Sequence, residues 1–189
     1  NTGVARKFAD RAPLDVVNTL YGGRFTSILN TELRIKSGLS YGASSGFTRG
    51  SVPGEFAIRS FTKTDTTGKA IDLALGTLER LHKDGVADDM LGSARAYVLG
   101  QFPLQLETSS NWATALAELE LYGLGRSYIE GYGAAVEAVT PAAAKRVIAE
   151  AFPPAGDLVI VVIGDAAKIR DTVAKYGPVT ETTLAAPDF

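Results

Sequence analysis

The run LVIVVI at Leu158–Ile163 sets the terms for any fold of this chain. Six consecutive apolar residues without polar alternation predict a central strand covered on both faces. Such a strand needs neighbours, and the remaining sequence offers few. Only Tyr41–Arg49 and Glu55–Thr64 also read as extended segments. Phe56 and Ile58 alternate with Ala57 and Arg59 as in a half-buried antiparallel strand. GSVPG, Gly50–Gly54, is turn chemistry, so the two segments predict a hairpin.

Helical spacing accounts for the rest. Leu14, Val17 and Leu20 predict a helix from Pro13 to about Tyr21, ended by Gly22–Gly23. A second helix runs from about Thr26 to Ser37, with Phe25, Ile28, Leu29 and Leu33 on one face and Arg34 opposite. Gly38 fits the left-handed residue that ends many helices. Further helices open near Asp65–Thr67, Asp88 and Ser109–Ser110. The third of these carries Trp112, Leu116 and Leu119, read as core. A weaker pattern covers Tyr128–Ala138. Thr140–Pro141 is a capping hydroxyl followed by proline, and the helix it starts ends before Pro153–Pro154. Gly164–Asp165 leads into a last helix with Ile169, Val173 and Tyr176.

Two helices, a hairpin, a helical block, one strand and one helix make an α+β order, with helices on one face of a small, mainly antiparallel sheet. One domain is expected over residues 1–177, with a loose tail over 178–189. Three strands around so apolar a centre leave the sheet one strand short. The missing neighbour is expected upstream of Asn1, which would make the chain a piece of a longer protein.

Composition narrows the chemistry. A net charge of -2 and a pI near 5.5 give no basic footprint for nucleic acid, and no apolar run reaches membrane-span length. Without cysteine there are no thiol nucleophiles, thiolate metal sites or disulfides. The one histidine, His82, cannot supply the two or three imidazoles of a usual hydrolytic zinc site. It lies in ERLHKDG at a helix end, where the helix dipole favours it, and is read as a capping group. No metal site is expected in this chain. Gly22–Gly23 lacks the lysine and the strand–helix context of a phosphate loop. Asp165 in GDAAKIR is read as a helix cap rather than part of an anion site. Lys63, Lys69 and Lys83 are dispersed solvated charges.

The ordered set LYGGRFTSILNTELR…SGLSYGASSGF…GEFAIRSFT, with GQFPLQLETSSNWA, AVTPAAAKRVIAEAF and LVIVVIGD further on, resembles the zinc-free second domain of the pitrilysin/insulinase family of zinc metallopeptidases. The resemblance runs from about Asp15 to Gly177. It implies a domain whose first strand would precede Asn1. It also implies a partner domain or subunit of similar fold that carries zinc in a His-x-x-Glu-His motif. The zinc-free domain of the family lends an arginine and a tyrosine to the peptide substrate. Those positions match Arg34 and Tyr41, on either side of Gly38. Tyr41 would stabilise the transition state, and Arg34 with Tyr41 would bind substrate. One departure stands: relatives usually place an acidic residue directly after the arginine, and Ile35 removes that partner for the guanidinium.

From spacing alone, Arg34 reads as a solvated charge and Tyr41 as a ring packed with its hydroxyl in water. The family resemblance favours a working pair. The expected function is the substrate-binding part of a zinc metalloendopeptidase, inactive alone. A non-catalytic scaffold of the same fold is the alternative, and an unrelated α+β hydrolase resting on His82 a remote third. The alanine- and glycine-rich, cysteine-free composition is compatible with a bacterial periplasm or cell envelope.

Overall fold

The computed structural model describes residues 2–183. Helix α1, Arg11–Asn18, widens into a π-helical turn at Thr19–Gly23. The short helix α2, Ile28–Asn30, does the same at Thr31–Lys36. Strands β1, Ala43–Arg49, and β2, Pro53–Ser60, form an antiparallel hairpin. Its register pairs Ala43 with Ser60 and Phe47 with Phe56, then shifts before Arg49 meets Pro53. The helices α3, Thr67–Asp84, α4, Asp88–Gln101, and α5, Ser109–Leu121, follow. After them come α6, Ser127–Glu130, α7, Tyr132–Glu137, α8, Pro141–Ala151, and α9, Ala166–Val173. The α+β class with a small antiparallel sheet is thus the observed one.

Local chemistry explains most boundaries. Ser27 accepts from the Asn30 N–H at the start of α2, Thr108 caps α5, and Thr140 caps α8 ahead of Pro141. Asp165 caps α9 through the Ala167 N–H. His82 lies in the last turn of α3, and its Nε2 donates to the Pro153 carbonyl at 3.2 Å. The chain from α9 returns to α3, where the Tyr176 hydroxyl donates to Asp72 at 2.6 Å. Burial, reinforced by that carboxylate, pushes the Tyr176 hydroxyl up to about 12.

The hairpin is fastened to the helices by four aromatic rings. Tyr21, from the turn after α1, meets Phe152 edge-on at 5.9 Å between centroids. Phe47 and Phe56, paired across the strands, stand 4.8 Å apart and lie 5.1 and 5.3 Å from Phe152. Each such pair contributes about 0.5–1.5 kcal/mol beyond area burial. Burial holds the Tyr21 hydroxyl in its neutral form well above the usual range, and the group faces Thr77 Oγ1 at 3.5 Å.

Three expectations are corrected. Leu158–Ile163 is not a covered central strand: among the described residues it joins no ladder, and Val159, Val161 and Ile163 are 80, 81 and 78 % exposed. Leu158, Ile160 and Val162 are half-buried, so the run alternates like a segment with one face on the body. β-propensity becomes a strand only where a neighbouring edge accepts the backbone bonds. Trp112 and Leu116 are exposed rather than core; on α5 only Leu119 is buried. Phe25 does not share the buried face of Leu29 and Leu33, because it precedes the Ser27 cap and lies outside the helix. Of the tail expected to be loose, residues 184–189 lie outside the described residues, and 178–183 carry no helix or strand.

Phe152→Ala should lower the unfolding free energy by about 3–5 kcal/mol, since it empties the centre of the ring cluster. Urea denaturation followed by circular dichroism measures this, and a loss below about 1 kcal/mol would contradict the fastening role.

Candidate functional site

Gly22 brings the turn after α1 against β1. A Cβ at this position would overlap the backbone nitrogen and Oγ of Ser45. The approach is locked by Asn18, whose Oδ1 accepts from Ser45 Oγ at 2.7 Å. Asn30, 4 % exposed, ties the next segment in place. Its Nδ2 donates to the Phe25 carbonyl at 2.6 Å, and its Oδ1 accepts from the Ala43 N–H at 3.0 Å. Gly38, at φ 63°, turns the chain out of the helix.

The loop after Gly38 is held by hydroxyls. Ser40 Oγ donates to the Gly42 carbonyl at 2.6 Å, Ser60 Oγ reaches the same carbonyl at 3.0 Å, and Thr62 Oγ1 donates to the Leu39 carbonyl at 2.6 Å. Tyr41 is mounted between these fixed points. Its side chain projects outward, 74 % exposed.

Arg34 and Tyr41 come together. The Arg34 guanidinium carbon lies 4.4 Å from the Tyr41 ring centre and 4.6 Å from that of Phe25. The cation is held by two rings, worth about 0.5–1 kcal/mol each at exposed positions. Among the described residues its side chain makes no hydrogen bond or ion pair, and neither does the Tyr41 hydroxyl. The polar groups of both side chains are therefore uncommitted among the described residues.

Arg34 lines a groove of about 550 Å³ together with Arg24, Phe25, Arg59, Phe61 and Tyr97. The turn after α1, the hairpin and α4 build its walls. Tyr41 does not line the groove; its ring lies against the guanidinium of Arg34, which does. Among the described residues there is no group of three His, Cys, Asp or Glu side chains that could hold a metal ion. No helix of the described residues is long and apolar enough to cross a membrane.

The family model of the peptidase M16 inactive domain matches residues 2–97 of the 189. The chain belongs to that family. An uncharacterized zinc protease of Streptomyces coelicolor is 27 % identical over 140 residues, which cover 74 % of this chain and 30 % of that protein. A crystal structure of a peptidase M16 inactive domain from Pseudomonas fluorescens superposes with a TM-score of 0.75 at 25 % identity, covering 80 % of this chain and 36 % of that one. A protease from Helicobacter pylori has the same fold, with a TM-score of 0.70 at 22 % identity over 82 % of this chain and 37 % of that one. The chain thus spans about a third of the length of these relatives.

In this M16 domain, both residues expected at the site share one place, and Ile35 leaves no gap in the support of Arg34. Ile35 points to solvent, and the rings of Phe25 and Tyr41 orient the guanidinium instead. Sequence reasoning missed Phe25, Asn30, Arg24 and Tyr97. An asparagine between apolar positions of a helix was the available signal for Asn30; Tyr97 carried none.

A second cavity, of about 650 Å³, holds Arg11 between the Tyr128 and Tyr132 rings at 3.8 and 4.0 Å. Most of the polar groups around it are engaged, while Arg11 Nε and Arg49 Nη1 are buried without a hydrogen-bond partner among the described residues. Asp15 accepts from Arg49 at 2.8 Å and from the Tyr132 hydroxyl at 2.7 Å, with Arg11 Nε 3.6 Å away. Burial and the adjacent Asp15 charge hold that hydroxyl protonated far above its ordinary range. The network ties α1 to β1 and α7 through Asp15.

Asn30→Ala should leave the Phe25 carbonyl and the Ala43 N–H without their partner, costing about 1–3 kcal/mol. Native-state hydrogen exchange should show faster exchange at Ala43; unchanged protection there would refute the anchoring role.

Proposed function

We propose that this M16 domain is the zinc-free substrate wall of a zinc metalloendopeptidase, completed by a zinc-bearing domain or subunit of similar fold. The observation that carries the reading is the juxtaposition of Tyr41 with Arg34, which lines the groove, with the donors of both uncommitted. Zinc on the partner would supply the Lewis-acid chemistry of peptide hydrolysis.

This chain's residues act on the substrate. The Tyr41 phenol is a neutral donor that can hydrogen-bond to the scissile carbonyl oxygen as it gains negative charge. The interaction is stronger in the transition state than in the ground state, so it raises turnover rather than affinity. The Arg34 guanidinium offers a planar fork of N–H groups to a peptide carbonyl or carboxylate. Ring stacking fixes the fork's plane while leaving its edge open, which lowers the entropic cost of binding. The hydroxyl-braced loop fixes the phenol in the same way. The substrate is an unfolded peptide, bound in extended form between the two halves.

Co-expression with a partner carrying His-x-x-Glu-His, followed by cleavage of a fluorescence-quenched peptide, tests the proposal. Tyr41→Phe keeps the ring over Arg34 and removes only the hydroxyl. It should lower kcat about 10²–10³-fold, with KM and thermal stability little changed. Arg34→Ala should mainly raise KM. Undiminished turnover in Tyr41→Phe would remove the catalytic role.

A further inference from the structure

The groove beneath Arg34 is unbalanced in charge. Three arginines, Arg24, Arg34 and Arg59, line it, and no aspartate or glutamate does. Elsewhere in the molecule, arginine is typically matched by a carboxylate: Arg49 by Asp15, Arg146 by Asp10, Arg170 by Glu181. In the groove the matching differs. Arg34 is held by rings alone. Arg24 is held by neutral groups, its Nη1 donating to Ser93 Oγ at 3.0 Å and to the Ser93 carbonyl at 3.3 Å, with the Tyr97 ring centre 5.9 Å away. Its Nε is buried and has no hydrogen-bond partner among the described residues.

Arg59 alone has an acidic partner, Glu55, at 2.7 Å. Both side chains of that pair are more than half exposed. An ion pair so open to water is weak and exchangeable, so Arg59 can turn to an incoming anion at little cost. It faces the groove from β2, directly across from Ser44 of β1, which also lines it.

We infer that the groove is a carboxylate subsite, and that the domain selects peptides presenting a carboxylate to Arg24, Arg34 and Arg59. The inference rests on the reading of this face as a substrate wall and adds the chemical class it prefers. Phe25, Phe61 and Tyr97 supply apolar walls around the charges. Low-dielectric walls focus the field of the three cations, and guanidinium forks match the two oxygens of a carboxylate. The carboxylate can belong to an acidic side chain or to the peptide's free C-terminus.

Four fluorescein-labelled decapeptides of one sequence separate these sources. One carries a central Glu and an amidated C-terminus, a second a central Gln and a free C-terminus. The third has Gln with the amide, and the fourth has both carboxylates. Fluorescence polarisation with the isolated chain should show at least one of the first two binding on the order of tenfold tighter than the third. Whichever does identifies the source. Arg24→Gln and Arg59→Gln should each reduce that preference at least about threefold, and raising NaCl from about 50 mM to about 500 mM should erode it. Arg59 is exposed, so its substitution leaves the fold intact, and thermal melts check both variants. Equal affinity of the four peptides, or a preference that survives both substitutions, overturns the carboxylate subsite while leaving the substrate wall in place. Absence of binding by all four overturns the carboxylate subsite, while the substrate wall, which needs both halves, is judged by turnover in Tyr41→Phe.

Discussion

Everything that positions the site depends on the packing of a two-stranded hairpin onto helices. A lone hairpin is marginal in water, because it buries too little to offset the entropy of ordering it. Here Phe47 and Phe56 place two rings from one face into contact with Phe152 at the end of α8 and with Tyr21 after α1. The close approach of Gly22 to Ser45 lets the turn after α1 lie against β1. Arg24 and Phe25, which follow Gly22 in sequence, thereby come beside Arg59 and Phe61 at the other end of the hairpin. The groove is a consequence of that one docking event.

The arginines divide into two kinds according to what holds them. Arg49 shares Asp15 with Tyr132, and Arg146 forms a bidentate clamp on Asp10 at 2.7 and 2.9 Å. The hydrogen bond and charge of Arg146 hold the Asp10 carboxyl below its usual range. That contribution to stability is present above the unfolded carboxylate range, near pH 4, and is lost as the pH falls through the lower folded value. These cations serve the fold. Arg34 is fixed by rings, which orient a guanidinium without neutralising it. Fixing and neutralising are separable, and a cation that is fixed but not neutralised attracts an anion without first giving up a partner.

The sequence made most helices and the hairpin legible, because each rests on local chemistry, whereas Arg34 and Tyr41 were singled out by the family resemblance and not by their spacing. Gly38 adopts the positive φ its place predicts, and Thr140 and Asp165 cap the helices they precede. What was not legible depends on neighbours. Trp112 and Leu116 lie at helical spacing, yet whether that spacing becomes core depends on an element packing against α5. Leu158–Ile163 shows the same limit more sharply, since its hydrophobicity specifies an extended segment but not the strand beside it. Phe25 departs from the helical spacing for a geometric reason: the chain at Arg24, just before it, is extended at φ −134° and ψ 164°. A residue outside the helix does not follow the helix's period.

Ile35 gives Arg34 an apolar neighbour in sequence where an acidic one would pair with it. An acidic side chain next to an arginine would orient it and cancel its charge together. With Ile35 exposed and apolar, orientation passes to Phe25 and Tyr41, whose rings lie 4.6 and 4.4 Å from the guanidinium carbon. Tyr41 then presents two separate parts. Its ring steadies Arg34, while its hydroxyl stays open to solvent and to whatever enters the groove. Removing the whole side chain would disturb both groups, whereas removing the oxygen alone disturbs one. The two residues are thus coupled through a ring face rather than through a hydrogen bond, and the coupling leaves the polar edge of each available.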